Sequence, residues 1–286
     1  MAVSVLFDEP GPKARARFWI YNIVFALIVA GLLWYVIAKF NDAGQFEPRI
    51  YERLSESGVI TEIQQGLVST LKAAGIAIVL SLVVGILLAV GRLSDRAWIR
   101  LPATAFVEFF RAIPLVLLII FFFLFLAYQT SWGSQTQGLV SLVTGLTLYN
   151  GSVLCEVFRA GVNAVPKGQG EAAYAVGMRK SQVMSIVLIP QAVKFMLPAI
   201  ISQCVVVLKD TSLGYIVTYT ELLRGGRTIA QYVDSFLITY LLLALVYIAM
   251  NSVLSGLAYW LERRLSSSGR SAVRAVEQVE EQLPVG

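Results

Sequence analysis

Six long apolar runs alternate with short polar segments along the chain. They cover residues 18–38, 67–91, 101–127, 138–163, 194–217 and 235–261. Each exceeds the roughly 20 residues that a helix needs to cross about 30 Å of hydrocarbon. The pattern predicts an all-α membrane protein with six spans. Lys13, Arg15 and Arg17 precede the first run, as in a signal peptide. The apolar part of a signal peptide is usually about 7–15 residues long. This run is longer, so an uncleaved helix is expected. The polar stretch 39–65 carries Glu47, Pro48, Glu52, Glu56 and Glu62 and reads as an external loop with some surface helix. From Ser266 onward no period is evident, and a flexible tail is expected.

Composition narrows the class. Apolar residues make up 57% of the chain and charged residues 14%, with mean hydropathy +0.72. A soluble domain could not bury that much apolar surface. The net charge of +5 comes mainly from Lys and Arg between and beyond the runs. Contact with anionic lipid, and not with nucleic acid, is therefore expected. With the N-terminus inside, cytoplasmic segments hold 13 Lys and Arg residues and external segments hold five. The positive-inside rule then places both termini in the cytoplasm. Cys155 and Cys204 both sit in apolar context and read as buried thiols. Histidine is absent, which removes the commonest metal ligand and general base. No phosphate-binding loop or dinucleotide fingerprint occurs, so an ATP-driven process would need its ATPase on another chain. No catalytic residues, metal site or cofactor are expected.

Ionisable groups inside spans cost about 2.5–3.5 kcal/mol each on insertion scales and are functional candidates by default. Glu108 and Arg111 are spaced i,i+3, as are Glu156 and Arg159, so each pair can meet on one helix face. Glu156 lies about 10 Å from the cytoplasmic end of its span. It is the leading candidate to contact a substrate ammonium group, and Arg159 is its rival structural partner. Tyr149 and Ser152 add neutral hydrogen-bonding groups on the same helix. Lys209 and Asp210 point about 100° apart on a helix, so each needs a partner elsewhere or a ligand. Lys72 sits about one turn inside its span. It either snorkels outward or attracts an acidic side chain.

Between the fourth and fifth runs lies Lys167-Gly-Gln-Gly-Glu171-Ala-Ala-Tyr-Ala-Val-Gly177-Met-Arg-Lys180, which ends in Val187-Leu-Ile-Pro190. It is too polar to cross a bilayer, yet residues 171–178 are good helix formers. Glu171 is placed near the N-terminus of this helix, where the dipole favours an anion. Ala172, Ala173 and Gly177 are small enough for close approach by another protein, with Met178 at the end of the stretch. Pro190 is expected to break the helix before the next span.

This segment resembles the E-A-A-x-x-x-G-x(9)-I-x-L-P loop of binding-protein-dependent ABC permeases. Glu171, Ala172, Ala173, Gly177 and Pro190 match, with Val187 and Ile189 in place of Ile and Leu. Glu108-Phe-Phe-Arg111-Ala-Ile-Pro114 is similar to the family's E-x-x-R-x-x-P stretch. Glu156-Val-Phe-Arg159-Ala-Gly161, Val165-Pro-Lys-Gly-Gln169 and Lys209-Asp-Thr-Ser-Leu213 are similar to runs of the polar amino acid permeases. Within that family the chain looks most like the permeases of glutamate uptake systems.

The resemblance implies a five-helix permease core with one extra N-terminal helix, working by alternating access. It implies a second permease subunit, giving a heterodimer or alternatively a homodimer. Two cytosolic ATPase subunits that bind ATP and Mg, and an external amino-acid-binding protein, complete the importer. Residues 1–17 would then be a cytoplasmic segment, and 18–65 the extra helix and its loop. Residues 66–265 would be the transmembrane domain with its coupling helix near 170–179, and 266–286 the tail. The alternative is a secondary transporter driven by an ion gradient. That class is expected to show broken helices and repeats in matching halves, which the sequence lacks. A membrane enzyme would need a convergent set of reactive groups, also lacking.

Overall fold

The computed structural model describes residues 11–280, with side chains through residue 260 and at Arg263. Among the described residues the chain is entirely helical, apart from its turns and loops. Five helices are long and apolar enough to cross a membrane, and a bent pair makes six if it is one span.

The first span, α1 (Pro12–Asp42), has no buried residue. A helix apolar all round and packed on nothing in its own chain is one that faces lipid or another subunit. The stretch expected as a loop is more helical than its polarity suggests. It contains α2 (Pro48–Leu54), and α3 (Ser57–Arg92) starts within it. Ile50 of α2 is fully buried against Val59, Ile229 and Val233. That small cluster pins the loop to the helix before the last span.

The centre of the bundle is α6 (Ser134–Asn163), packed against α3, α4 (Ala97–Ala112), α5 (Leu115–Gln129) and α9 (Ile189–Asp210). The face of α3 turned to it is a ladder of small residues four apart: Ala73, Ala77, Ser81, Gly85 and Ala89, all buried. In lipid there is no hydrophobic drive between helices, so close approach of backbones must supply the attraction. Two glycines set that approach. A Cβ on Gly151 would lie 2.9 Å from Val84 Cγ1, and one on Gly85 would lie 2.9 Å from Leu154 Cβ.

The third apolar run is not one straight span. It divides into α4 and α5, which meet at 98°. Pro114 explains the break. Its ring forces Ile113 out of helical geometry, to φ −85° and ψ 131°. The expected break at Pro190 does not occur. Lys180–Gln182 (α8) runs into a π-turn over Val183–Leu188, and that runs into α9. The Ile189 N–H donates to Met184 O, five residues back. The wider turn gives the proline ring room where an α-helix would clash. After Asp210 the helix tightens to 3₁₀ over Thr211–Val217. Then α10 (Leu222–Val233) leads into α11 (Phe236–Glu280). The backbone of α11 stays helical where a tail was expected from Ser266, and 281–286 lie outside the described residues.

Candidate functional site

The loop between the fourth and fifth spans forms α7 (Lys167–Ala175). It begins and ends four and three residues earlier than the 171–178 expected. Pro166 at its N-cap fixes the start. Gly177 fixes the end, adopting φ +81°. The Gly177 N–H donates to Tyr174 O at 2.9 Å, and the Met178 N–H to Ala173 O at 3.2 Å. This pair of bonds is a Schellman stop, which needs a left-handed residue. Gly177 is therefore the terminator of α7, exposed just past its end. Glu171 is the fifth of nine residues, so the dipole argument for its position does not hold. Ala173 is buried within the chain, while Glu171 and Ala172 are exposed.

Three contacts tie α7 and its neighbours to the spans. α7 packs on the π-turn segment, with its Ala173 buried. Gln191 Nε2 of α9 donates to Gln169 Oε1 of α7 at 3.2 Å. Lys180 pairs with Asp95 in the loop after α3, and its Nζ also lies 3.4 Å from Leu93 O. α7 thus packs on the π-turn that leads into α9, and meets α9 itself through the Gln169–Gln191 hydrogen bond.

Glu156 is the hub of an ion cluster at the same end of the bundle. Its Oε1 pairs with Arg92 of α3 and lies 3.9 Å from Arg111 Nη1 of α4. Its Oε2 accepts from Arg159 Nε at 3.0 Å and Nη2 at 2.8 Å. Arg92 also lies 3.7 Å from Glu108. The expected Glu108–Arg111 pair along one helix is replaced by these contacts across helices, whereas Glu156–Arg159 does form. Arg92 is the member that the sequence did not single out. It ends a span and reads there as one more cytoplasmic cation, yet its side chain is only 12% exposed.

The other candidates stand apart from this cluster. Tyr149 is half-buried, and Ser152 is buried with its hydroxyl donating to Leu148 O in its own helix at 2.8 Å. Lys72 is exposed on α3. Lys209 is exposed and Asp210 half-buried at the far end of α9 from α7. Mid-bundle, Gln203 Nε2 donates to Asn150 Oδ1 at 2.6 Å, linking α9 to α6. At the end opposite α7, buried Glu221 caps α10 by accepting from the Leu223 and Arg224 N–H groups, both at 2.8 Å. Tyr247 of α11 donates to the same carboxyl. Burial pushes the Glu221 carboxyl up, opposed by these three donors and the Arg224 charge.

The described residues form a polytopic helical bundle that carries a short helix on a polar loop, packed against a long span. The family described as "Binding-protein-dependent transport system inner membrane component" matches residues 81–267, and the chain belongs to it. It is thus a multi-pass inner-membrane permease of an ABC importer, which works with a partner ATPase and other subunits. Nothing in these comparisons supports the ion-gradient alternative. The chain is 41% identical over 226 residues to the glutamate transport system permease protein GluD of Corynebacterium glutamicum. That match covers 79% of this chain and 82% of GluD. It is 33% identical over 204 residues to the glutamate/aspartate import permease protein GltK of Escherichia coli, covering 70% and 91%. A chain of a crystallised amino acid ABC transporter with histidines superposes with a TM-score of 0.67 at 28% identity, covering 74% of this chain and 97% of that one. The methionine transporter MetNI, at 20% identity and TM-score 0.61, shares the fold.

Proposed function

We propose that this permease imports glutamate or a closely related polar amino acid, and that α7 is the contact through which ATP-driven motion enters it. The observation that carries the reading is the joint between α7 and the fifth span. Ala173 is buried, α7 packs on the π-turn, and Gln169 meets Gln191, so the loop is not a free connector. The names of the relatives GluD and GltK support the substrate class.

In this reading two permease subunits, this chain and a related one, enclose the path. Two cytosolic ATPase subunits, which bind ATP and Mg, dock on Glu171 and Ala172. An external binding protein delivers the amino acid, and both termini lie in the cytoplasm. Lys209 and Asp210 are the best-placed candidates to meet the zwitterion from outside, with Lys72 and Tyr149 as further candidates. Among the described residues no side-chain hydrogen bond or ion pair holds Lys209 or Asp210. Glu156 serves the path indirectly, as the ionic joint of α3, α4 and α6. Its carboxylate already faces three guanidiniums, which leaves little capacity for an ammonium.

The test is uptake of labelled glutamate in a strain lacking the gene, restored by the chain. Competition with unlabelled aspartate, glutamine, arginine and histidine reads the specificity. Restoration with competition by aspartate or glutamine alone is the expected result. Restored uptake that arginine abolishes and aspartate does not would overturn the substrate class.

A further inference from the structure

A cavity of about 710 Å³ lies outside the coupling loop and the ion cluster. It opens between the last turns of α3, the end of α6 and the stretch from Lys180 into α9. Its walls are apolar: Ile86, Ala89 and Val90 on one side, Val193 and Met196 on the other. Along α3 they run from Ile86 to Leu93, a depth of about 10 Å. Ala89 and Met196 are buried, but Val90 is 65% exposed and Val193 is 39% exposed. The charged lining is gathered at one end, where Ser94, Asp95, Arg96 and Lys180 form the mouth, with Ser181 and Ser185 on the facing wall.

The mouth lies at the surface of the membrane. α3 is a span, and it ends at Arg92 just before this loop. Trp98 stands 70% exposed on the first turn of α4, with the Arg96 guanidinium 6.0 Å from its ring centroid. Exposed Trp beside Arg is the signature of the headgroup layer. The trough therefore descends from headgroup depth into hydrocarbon. The mouth is also cationic. Lys180 is neutralised by Asp95, which leaves Arg96, and Arg100 behind it, with Nη1 3.5 Å from Ser94 O.

An apolar trough of this depth, ending at guanidiniums that pair with no acid among the described residues, matches one kind of molecule in both its parts. We propose that the groove holds an anionic phospholipid, with its phosphate at Arg96 and one acyl chain along Val90 and Val193. Arginine recognises phosphate by charge-assisted hydrogen bonds, and the apolar walls leave water by covering a chain. Such a lipid would wedge between α3 and the π-turn segment, beside the Lys180–Asp95 contact, at the joint that α7 moves. Anionic lipid then becomes a structural part of the coupling machinery.

The experiment uses the assembled transporter, reconstituted in vesicles of phosphatidylcholine with a trace of photoactivatable phosphatidylglycerol labelled in its acyl chain. Crosslinks are expected on peptides 86–93 and 189–196. Unlabelled phosphatidylglycerol should compete for them, while excess phosphatidylcholine or inorganic phosphate should not. Val90→Trp, which fills the trough, should abolish the groove crosslinks, and Arg96→Gln should weaken them while the ATPase still co-purifies. If Val90→Trp fails to assemble, Arg96→Gln on its exposed loop carries the test. Labelling spread evenly over lipid-facing helices, or unchanged in Arg96→Gln, would overturn the proposal. So would groove peptides that crosslink to another protein subunit instead of lipid.

Discussion

Arg92 and Glu156 are 64 positions apart and meet as an ion pair that closes α3 onto α6 at one end of the bundle. Both side chains are largely withdrawn from solvent, and Arg159 and Arg111 complete the surroundings of the carboxylate. Three guanidiniums surround the Glu156 carboxylate while Glu108 reaches only Arg92, at 3.7 Å, which makes Glu156 the least replaceable member. Glu156→Gln would strand a largely buried Arg92, at a cost of about 3–5 kcal/mol. The expected outcome is loss of assembly or a large drop in thermal midpoint in detergent. The double change Glu156→Gln with Arg92→Gln should recover most of that stability. A Glu156→Gln protein of normal stability that no longer transports would instead mark Glu156 as a substrate group.

Gly177 tests the stop of α7. Any β-branched side chain at φ +81° is strained, whereas Asn tolerates that conformation. Gly177→Val should lower stability and ATPase co-purification together, by about 1–2 kcal/mol in the stability measurement. Gly177→Asn should be near normal in both.

The contact with the ATPase is better probed at Ala172, which is exposed and free of any backbone constraint. Ala172→Trp should insert and fold normally, yet lose ATPase co-purification and uptake. Full uptake in that variant would show that this face of α7 is not the contact.

The crossing of α3 and α6 depends on Gly151. Its added Cβ would stand 2.9 Å from Val84 Cγ1, closer than real side chains approach. Gly151→Ala should cost about 1–3 kcal/mol through overpacking. Adding Val84→Ala removes the opposing methyl groups and should restore much of the lost thermal stability. Failure of that rescue would place the strain elsewhere.

Topology is open to labelling. Ser55 and Ser134 are exposed at one end of the bundle, and Lys167 is exposed at the other. Single cysteines at Ser55 and Ser134 should react with an impermeant thiol reagent applied from outside, and one at Lys167 should not. The reverse pattern would invert the protein in the membrane.

The spans were readable from sequence because hydrocarbon thickness acts on local composition: a run of apolar residues long enough to cross is nearly sufficient evidence of a helix. The loop helix was readable from its pattern, but its end at Ala175 follows from Gly177, since a glycine after a helix commonly stops it. The break at Pro114 also left a local trace, since the residue before a proline avoids helical geometry. Its 98° angle did not. What the sequence alone settled was how many apolar runs there are and roughly where they lie. Which charges meet was settled only by the tertiary structure. The partner of Glu156 depends on how far α3 is rotated and how closely it crosses α6. That rotation is set by a ladder of small residues facing glycines some seventy positions away, and no local property of either segment encodes it.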